Sequence, residues 1–241
     1  MTTKTVVRTA AGYLVGGAAV AALGYAAYAG SAWVRYGHAT RARNPEDQDP
    51  LLDGFMPLYD VVERHHVRVN APAVLTQAVA RGLKLDSCVV RAIFRGRELM
   101  LGSEPAPIEP AGGLLETALS IGWAVLADNS SREVIFGAAT RPWEPNPVFR
   151  EVHTREFAAF AEPGYVKIAW TLRTDPAADG TCVFRTETRA IATDIDARAS
   201  FRRYWAMVSP GVEVIRRAML VSVKQEAERR AAAPVPVAVT A

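Results

Sequence analysis

The apolar residues of this chain change period once, and that change limits the folds open to it. From Ile121 to Ala192 they recur at every second position. Trp123–Ala127 and Glu133–Ala138 flank the turn Asp128-Asn129-Ser130-Ser131, and Val166, Ile168, Trp170 and Leu172 share one face of a later run, with Tyr165, Lys167 and Thr171 opposite. From Phe201 the spacing becomes three and four, through Tyr204, Trp205, Val208, Val212, Ile215, Met219 and Val223. A period of two marks a strand with one apolar face, and a period near 3.6 marks a helix with an apolar stripe. Five or six antiparallel strands followed by one long helix predict an α+β chain in which the helix covers the apolar face of a curved sheet.

The remaining elements fit around that core. Tyr59–Asn70 alternates in the same way, which predicts a strand with one apolar and one wet face. Ala71-Pro72 opens a helix with a stripe of Val74, Leu75, Ala78 and Val79, stopped at Gly82. A second short helix capped by Ser87 would turn Cys88, Val89, Ala92 and Ile93 inward, and Gly102–Gly113 reads as loop. Further strands are expected over Val152–Phe160 and Cys182–Thr193, separated by the turns at Pro163-Gly164, Asp175-Pro176 and Asp179-Gly180. Asp194 or Asp196 caps the last helix, and Pro210, within Ser209-Pro210-Gly211, predicts a kink or break in it.

The amino terminus follows another rule. No charge lies between Arg8 and Arg35, so 26 positions run uncharged, although fifteen of them are Ala or Gly. About 20 apolar residues cross a hydrocarbon core. The expectation is therefore a short tail (1–8), a transmembrane helix (9–34) with Tyr25, Tyr28 and Trp33 toward one interface, a polar linker (35–54), a globular domain (55–230) and a disordered tail (231–241). The competing reading is a signal peptide cleaved after Ala29. Gly12 and Gly16 have the spacing through which two such helices form a weak homodimer. Positive charges balance across the segment. The two cysteines, needing no oxidising compartment, and the basic last helix lean toward a single-pass protein of the cell membrane with a cytoplasmic domain.

The element order, together with YDVVERHHVRVNAP at the start of the domain and TETRAIATD followed by FRRYWAMVSPGVEVIRRAML at its end, resembles the START/Bet v1-like (SRPBCC) superfamily, and within it an uncharacterised bacterial branch. The resemblance covers roughly residues 55–230. It implies a helix-grip fold and a cavity between sheet and last helix holding a lipid, sterol, polyketide or other hydrophobic molecule. Relatives of that kind include cyclases, hydrolytic and oxygenase components and simple binders, so the fold alone assigns no reaction.

Side-chain chemistry narrows the choice a little. If the uncharged strand phases face inward, the cavity is lined by Trp123, Phe136, Trp170 and Phe184 from the sheet and Phe201, Trp205 and Val208 from the helix, with Thr186, Thr188 and His65 as polar contacts. Binding without catalysis is the first reading, with no residue assigned to catalysis. The charged phase Arg185, Glu187 and Arg189 is expected on the outer face. The alternative reading is a cyclase or dehydratase in which Glu63 and His65, on one strand face, act as base and orienter, or in which Glu187, should its phase turn inward instead, serves as acid. A third reading is an interaction scaffold, because Arg198–Arg230 carries a surplus of five positive charges in which Arg216 and Arg217 are taken as exposed. Four histidines and two cysteines without ligand spacing offer no metal pattern, and no phosphate-cradling or cofactor motif occurs. A net charge of +3 gives no ground for nucleic acid.

Overall fold

The computed structural model describes residues 3–42, 44, 47–84, 95–96, 101–102 and 112–233, with side chains in the first helix from residue 16. The expected helix at Ser87 with Cys88, most of the Gly102–Gly113 loop and the tail beyond residue 233 lie outside the described residues. Helix α1 (Thr3–Arg35) leads through helix α2 (Pro50–Phe55) to strand β1 (Val61–Val69) and helix α3 (Ala73–Arg81). Helix α4 (Leu114–Ser120), strands β2 (Ala124–Asn129) and β3 (Glu133–Thr140) and the single turn α5 (Thr154–Phe157) follow. Strands β4 (Val166–Pro176) and β5 (Cys182–Ala192) precede the long helix α6 (Ile195–Ala231).

The five strands make one antiparallel sheet in the order β1-β5-β4-β3-β2. Strands β2 to β5 pair with their neighbours in sequence, and β1 returns to pair with β5. The register sets the two faces, because side chains alternate. Phe136, Trp170, Thr188 and Glu63 stand in one row across β3, β4, β5 and β1, and Val134, Leu172, Thr186 and His65 stand in the next. These rows form the inner face, beneath α6 and α3. Rows of opposite phase, such as Ile135, Thr171, Glu187 and Arg64, form the outer face. The chain is thus α+β, with an antiparallel sheet and a long carboxy-terminal helix laid across one side, as the periodicities predict.

Local chemistry explains where α6 begins. The Asp194 carboxylate accepts from the Ala197 amide at 2.8 Å and from the Gly164 amide, so the cap also ties the helix start to the turn before β4. Asp60, 3% exposed, accepts from the Ala192 amide at 2.8 Å and from Arg198 Nε at 3.0 Å. It joins the end of β5 to the first turn of the helix. At Pro210 the expected break does not occur: α6 runs unbroken from Ile195 to Ala231, and packing on the sheet offsets the hydrogen bond that proline cannot donate.

Three expectations about the surroundings of the sheet are corrected. The outer face is not wet, because Leu52, Met56 and Tyr59 lie on it, each at most 2% exposed, with Val152 and Phe157 beside them. The segment read as a linker is therefore partly a third layer. Val152–Phe160 is not a strand: Arg150 makes one bridge to Ala139, and the chain then turns through α5 so that Val152 and Phe157 both point at the sheet. Gly137 permits that approach, since a Cβ there would stand 2.7 Å from the Phe157 ring and 2.5 Å from Leu126. The transmembrane span expected over 9–34 is not supported. The segment is helical, but among the described residues no helix is long and apolar enough to cross a membrane. Alanine and glycine make up most of it, and they bury little apolar surface per residue.

The carboxy-terminal third of α1 packs on α6. Tyr25 OH donates to Met207 O at 2.5 Å and Tyr28 OH to Glu213 at 3.2 Å. The Arg202 guanidinium lies 4.4 Å over the Trp33 ring, and Tyr36 meets Trp205 edge-on at 6.1 Å. From Gly16 to Gly24 α1 is exposed.

Candidate functional site

The side of α6 that faces the sheet buries Phe201, Trp205, Met219, Leu220, Val223 and Ala227. Midway, the stripe turns polar. Ser209, 1% exposed, and Arg216 occupy the positions that continue it between Trp205 and Met219. Beneath them lies the row holding Trp170, Thr188 and Glu63.

Arg216 is the centre of this patch. Its Nη2 donates to Thr188 Oγ1 at 2.8 Å, and its guanidinium carbon sits 4.5 Å from the centre of the Trp170 ring, which is cation–π geometry. No carboxylate among the described residues lies within ion-pair distance of it. Burial lowers its pKa to about 10, and the negative charge of Glu63 opposes that fall only in part, so the side chain stays cationic at neutral pH. Trp170 is held from the other side by stacking on Phe136 at 5.1 Å and an edge contact with Trp123 at 6.3 Å. Its Nε1 donates to Thr186 Oγ1 at 2.8 Å.

Glu63 belongs to a second group. Its carboxylate accepts from Tyr36 OH, and His65 Nε2 stands 3.6 Å away. Burial pushes the Glu63 pKa up, but His65 and Tyr36 outweigh it and leave the carboxyl below its usual range. The Tyr36 phenol is raised, first by burial and then by its bond to Glu63. Three buried polar atoms of this layer, His65 Nε2, Trp205 Nε1 and Ser209 Oγ, have no hydrogen-bond partner.

All ten residues expected to line the site belong to this layer, but they divide between its two ends. Trp123, Phe136, Trp170 and Phe184 pack with Met219 and Val223, while Phe201, Trp205 and Val208 pack with Val61 and Ala190. Thr186 and Thr188 face inward between them, and His65 lies at their edge. Trp170, Phe184, Thr186, Thr188 and Trp205 are each at most 7% exposed, so side chains fill the sheet–helix space. Arg216, Ser209 and Tyr36 were missed. Arg216 and Ser209 had a signal, being spaced i+4 from Val212 and Trp205, yet a charged residue in an arginine-rich helix reads by default as solvated. Tyr36 had none.

The outer face carries a different network. Two clefts there, of about 100 and 200 Å³, are lined by charged side chains including Asp49, Arg64, Arg132, Glu133, Arg173 and Glu187. Arg189, fully buried, donates from Nε to Glu187 at 2.6 Å and from Nη1 to Asp53 at 2.5 Å and Met56 O at 2.7 Å, with its guanidinium 4.9 Å over the Tyr59 ring. Arg64 reaches Glu187 at 3.0 Å and Tyr59 OH at 2.9 Å. Glu187 is thereby held as a structural anion beneath α2, on the side away from α6, where the charged phase of its strand puts it, and the alternative that makes it an acid in the cavity is overturned. The basic surface read from α6 is also reduced: Arg217 pairs with Glu213, Lys224 with Glu228, and Arg229 and Arg230 with Glu226, while Arg216 points inward. Among the described residues no three His, Cys, Asp or Glu side chains gather as a metal site would require.

No protein-family model matches the sequence, and no curated protein matches it significantly. What characterises the molecule is its α+β architecture and the polar interruption of its helix–sheet interface.

Proposed function

We propose that this protein is a membrane-associated START-like module that takes up a hydrophobic small molecule or lipid between the inner sheet face and α6. The observation that carries the reading is the inner layer: a continuous aromatic and aliphatic surface interrupted at its middle by Arg216, Ser209, Thr188 and Glu63. A helix whose only task is to close a core has no reason to turn polar groups inward there, with Ser209 and Thr188 buried and Arg216 and Glu63 half-buried, since each costs free energy unless it is paired. A binding layer uses such groups to orient a guest. Because the interface is closed, uptake works by displacement of α6, with the half beyond Pro210 the moving part. The exposed, uncharged stretch of α1 from Gly16 to Gly24 attaches the domain to a lipid surface.

Two measurements test this. Native mass spectrometry of the full chain purified from cells should show a co-purifying apolar molecule that solvent extraction removes. Membranes washed with high salt should retain the chain, and retention should fall when residues 3–24 are deleted. An apo mass in every preparation, together with release of the intact chain by the wash, would end the proposal.

A second reading has one observation in its favour. Glu63, Tyr36 and His65 bring an ionised carboxylate, a phenol and an imidazole together at the inner face, the groups that proton transfer on a bound guest would use. It predicts conversion of a bound ligand that stops in Glu63→Gln although binding continues.

A further inference from the structure

Resting on the binding reading above, we propose that the guest is an amphipathic carboxylate, an apolar chain or ring system ending in one acidic group, and that Arg216 receives that group. A guanidinium has five N–H donors and cannot shed its charge at neutral pH. Among the described residues one donor is used, on Thr188 at 2.8 Å, and the ring of Trp170 covers one face of the group at 4.5 Å. The two nearby carboxylates are both engaged elsewhere. Glu63 accepts from Tyr36 and lies beside His65, while Glu213 pairs with Arg217 at 2.6 Å and accepts from Tyr28. Arg216, inward-pointing and half-buried, thus differs from the fully buried Arg189, which has two carboxylates and a backbone carbonyl against it. An inward cation without a counter-ion is stabilised by an anion brought from outside, and the surrounding Trp170, Met219 and Leu220 demand that the rest of that molecule be apolar.

One guanidinium matches a carboxylate, which takes two parallel N–H bonds, better than it matches a phosphate, whose third oxygen and second charge would have no partner. The partners are also arranged to bind and hold: Thr188 and Trp170 fix the guanidinium plane, so little freedom is lost when the acid arrives.

Titration calorimetry of the full chain with dodecanoate, dodecyl phosphate and dodecanol, all below their aggregation concentrations, tests the proposal. Dodecanoate should bind at least about tenfold more tightly than dodecanol, a difference of about 1.4 kcal/mol, and more tightly than dodecyl phosphate. In Arg216→Met that preference should vanish while dodecanol still binds. In Arg217→Met, which removes an exposed charge of the same helix, it should persist. Dodecanol binding as tightly as dodecanoate in the parent chain would overturn the assignment of the acid while leaving an apolar guest intact. Tighter binding of dodecyl phosphate would replace the carboxylate. Failure of all three to bind would remove the binding reading as well. If Arg216→Met does not fold, Arg216→Lys and the comparison of head groups in the parent chain decide, with the preference weakened but present in the lysine variant.

Discussion

Two buried charges on the outer face show how strongly a single residue depends on distant partners. Arg189 is fully enclosed, and its charge is balanced by Glu187 two residues away and by Asp53, 136 positions earlier. Removing one member of a buried ion pair costs about 3–5 kcal/mol because the other is left uncompensated. Arg189→Met should therefore lower stability by that amount in urea unfolding, and adding Glu187→Gln should restore part of it. Glu133 behaves differently. Burial, and then its hydrogen bond to Asp49 and the charge of Asp49, raise its pKa from 4.5 to about 8, with Arg173 and Arg132 opposing. A carboxyl raised in the folded state holds its proton more tightly there than in the unfolded chain. Its stabilisation is complete below about 4.5 and is lost as pH rises through about 8. Asp49 works in the opposite sense, being lowered from 3.8 by Glu133, the Leu52 amide and Arg173 against its burial, so its contribution is lost only on acidification. The melting temperature should fall between about pH 5 and about pH 8, and Glu133→Gln, which still donates to Asp49 but cannot ionise, should flatten that fall.

At the scale of the element, α6 joins two ends with different tasks. Its first half is held by the Asp194 cap, by Asp60 through Arg198, and by Phe201 and Trp205 against Tyr36 and Val61. Its second half rests on β1, β5 and α3 through Met219, Val223 and Ala227. Trp205 is 7% exposed, and truncating a buried indole costs about 3–5 kcal/mol. Trp205→Ala should show that loss in thermal melts and should also abolish retention of the co-purifying molecule. Normal stability with normal retention would place Trp205 outside the anchored half. Pro210 leaves one backbone carbonyl of α6 without its usual donor and makes the middle of the helix the easiest place to bend. Pro210→Ala should accordingly slow ligand exchange while raising the melting temperature.

For the whole molecule the decisive feature is that the chain covers both faces of its sheet. Residues 47–59 supply Asp49, Leu52, Asp53, Met56 and Tyr59 to the outer layer, and α1 supplies Tyr25, Tyr28 and Trp33 to α6. A chain starting at residue 25 should melt within a few degrees of the parent. One starting at residue 55, the boundary drawn from composition, should lose most of its cooperative unfolding, because Arg189 and Arg173 would forfeit Asp53 and Asp49 while the outer sheet face met water. Circular dichroism melts of the two truncations check this directly.

Periodicity was enough to place four of the five strands expected after Ile121, to turn Trp170, Phe184, Thr186 and Thr188 inward, to put Glu187 and Arg189 on the other phase, and to narrow the helix cap to Asp194 or Asp196. Each of these is a local property, carried by alternation or by one side chain reaching an amide three residues on. Two kinds of feature lay beyond it. A charged strand phase reads as solvent-facing, and only a partner from far along the chain, such as Asp53 against Arg189, shows that it is buried. Likewise a helical stripe states its direction but not what meets it, so Arg216 counted as surface charge until the sheet brought Trp170 and Thr188 beneath it. Residues far apart in sequence are brought together by packing, and no period within a single element records that meeting.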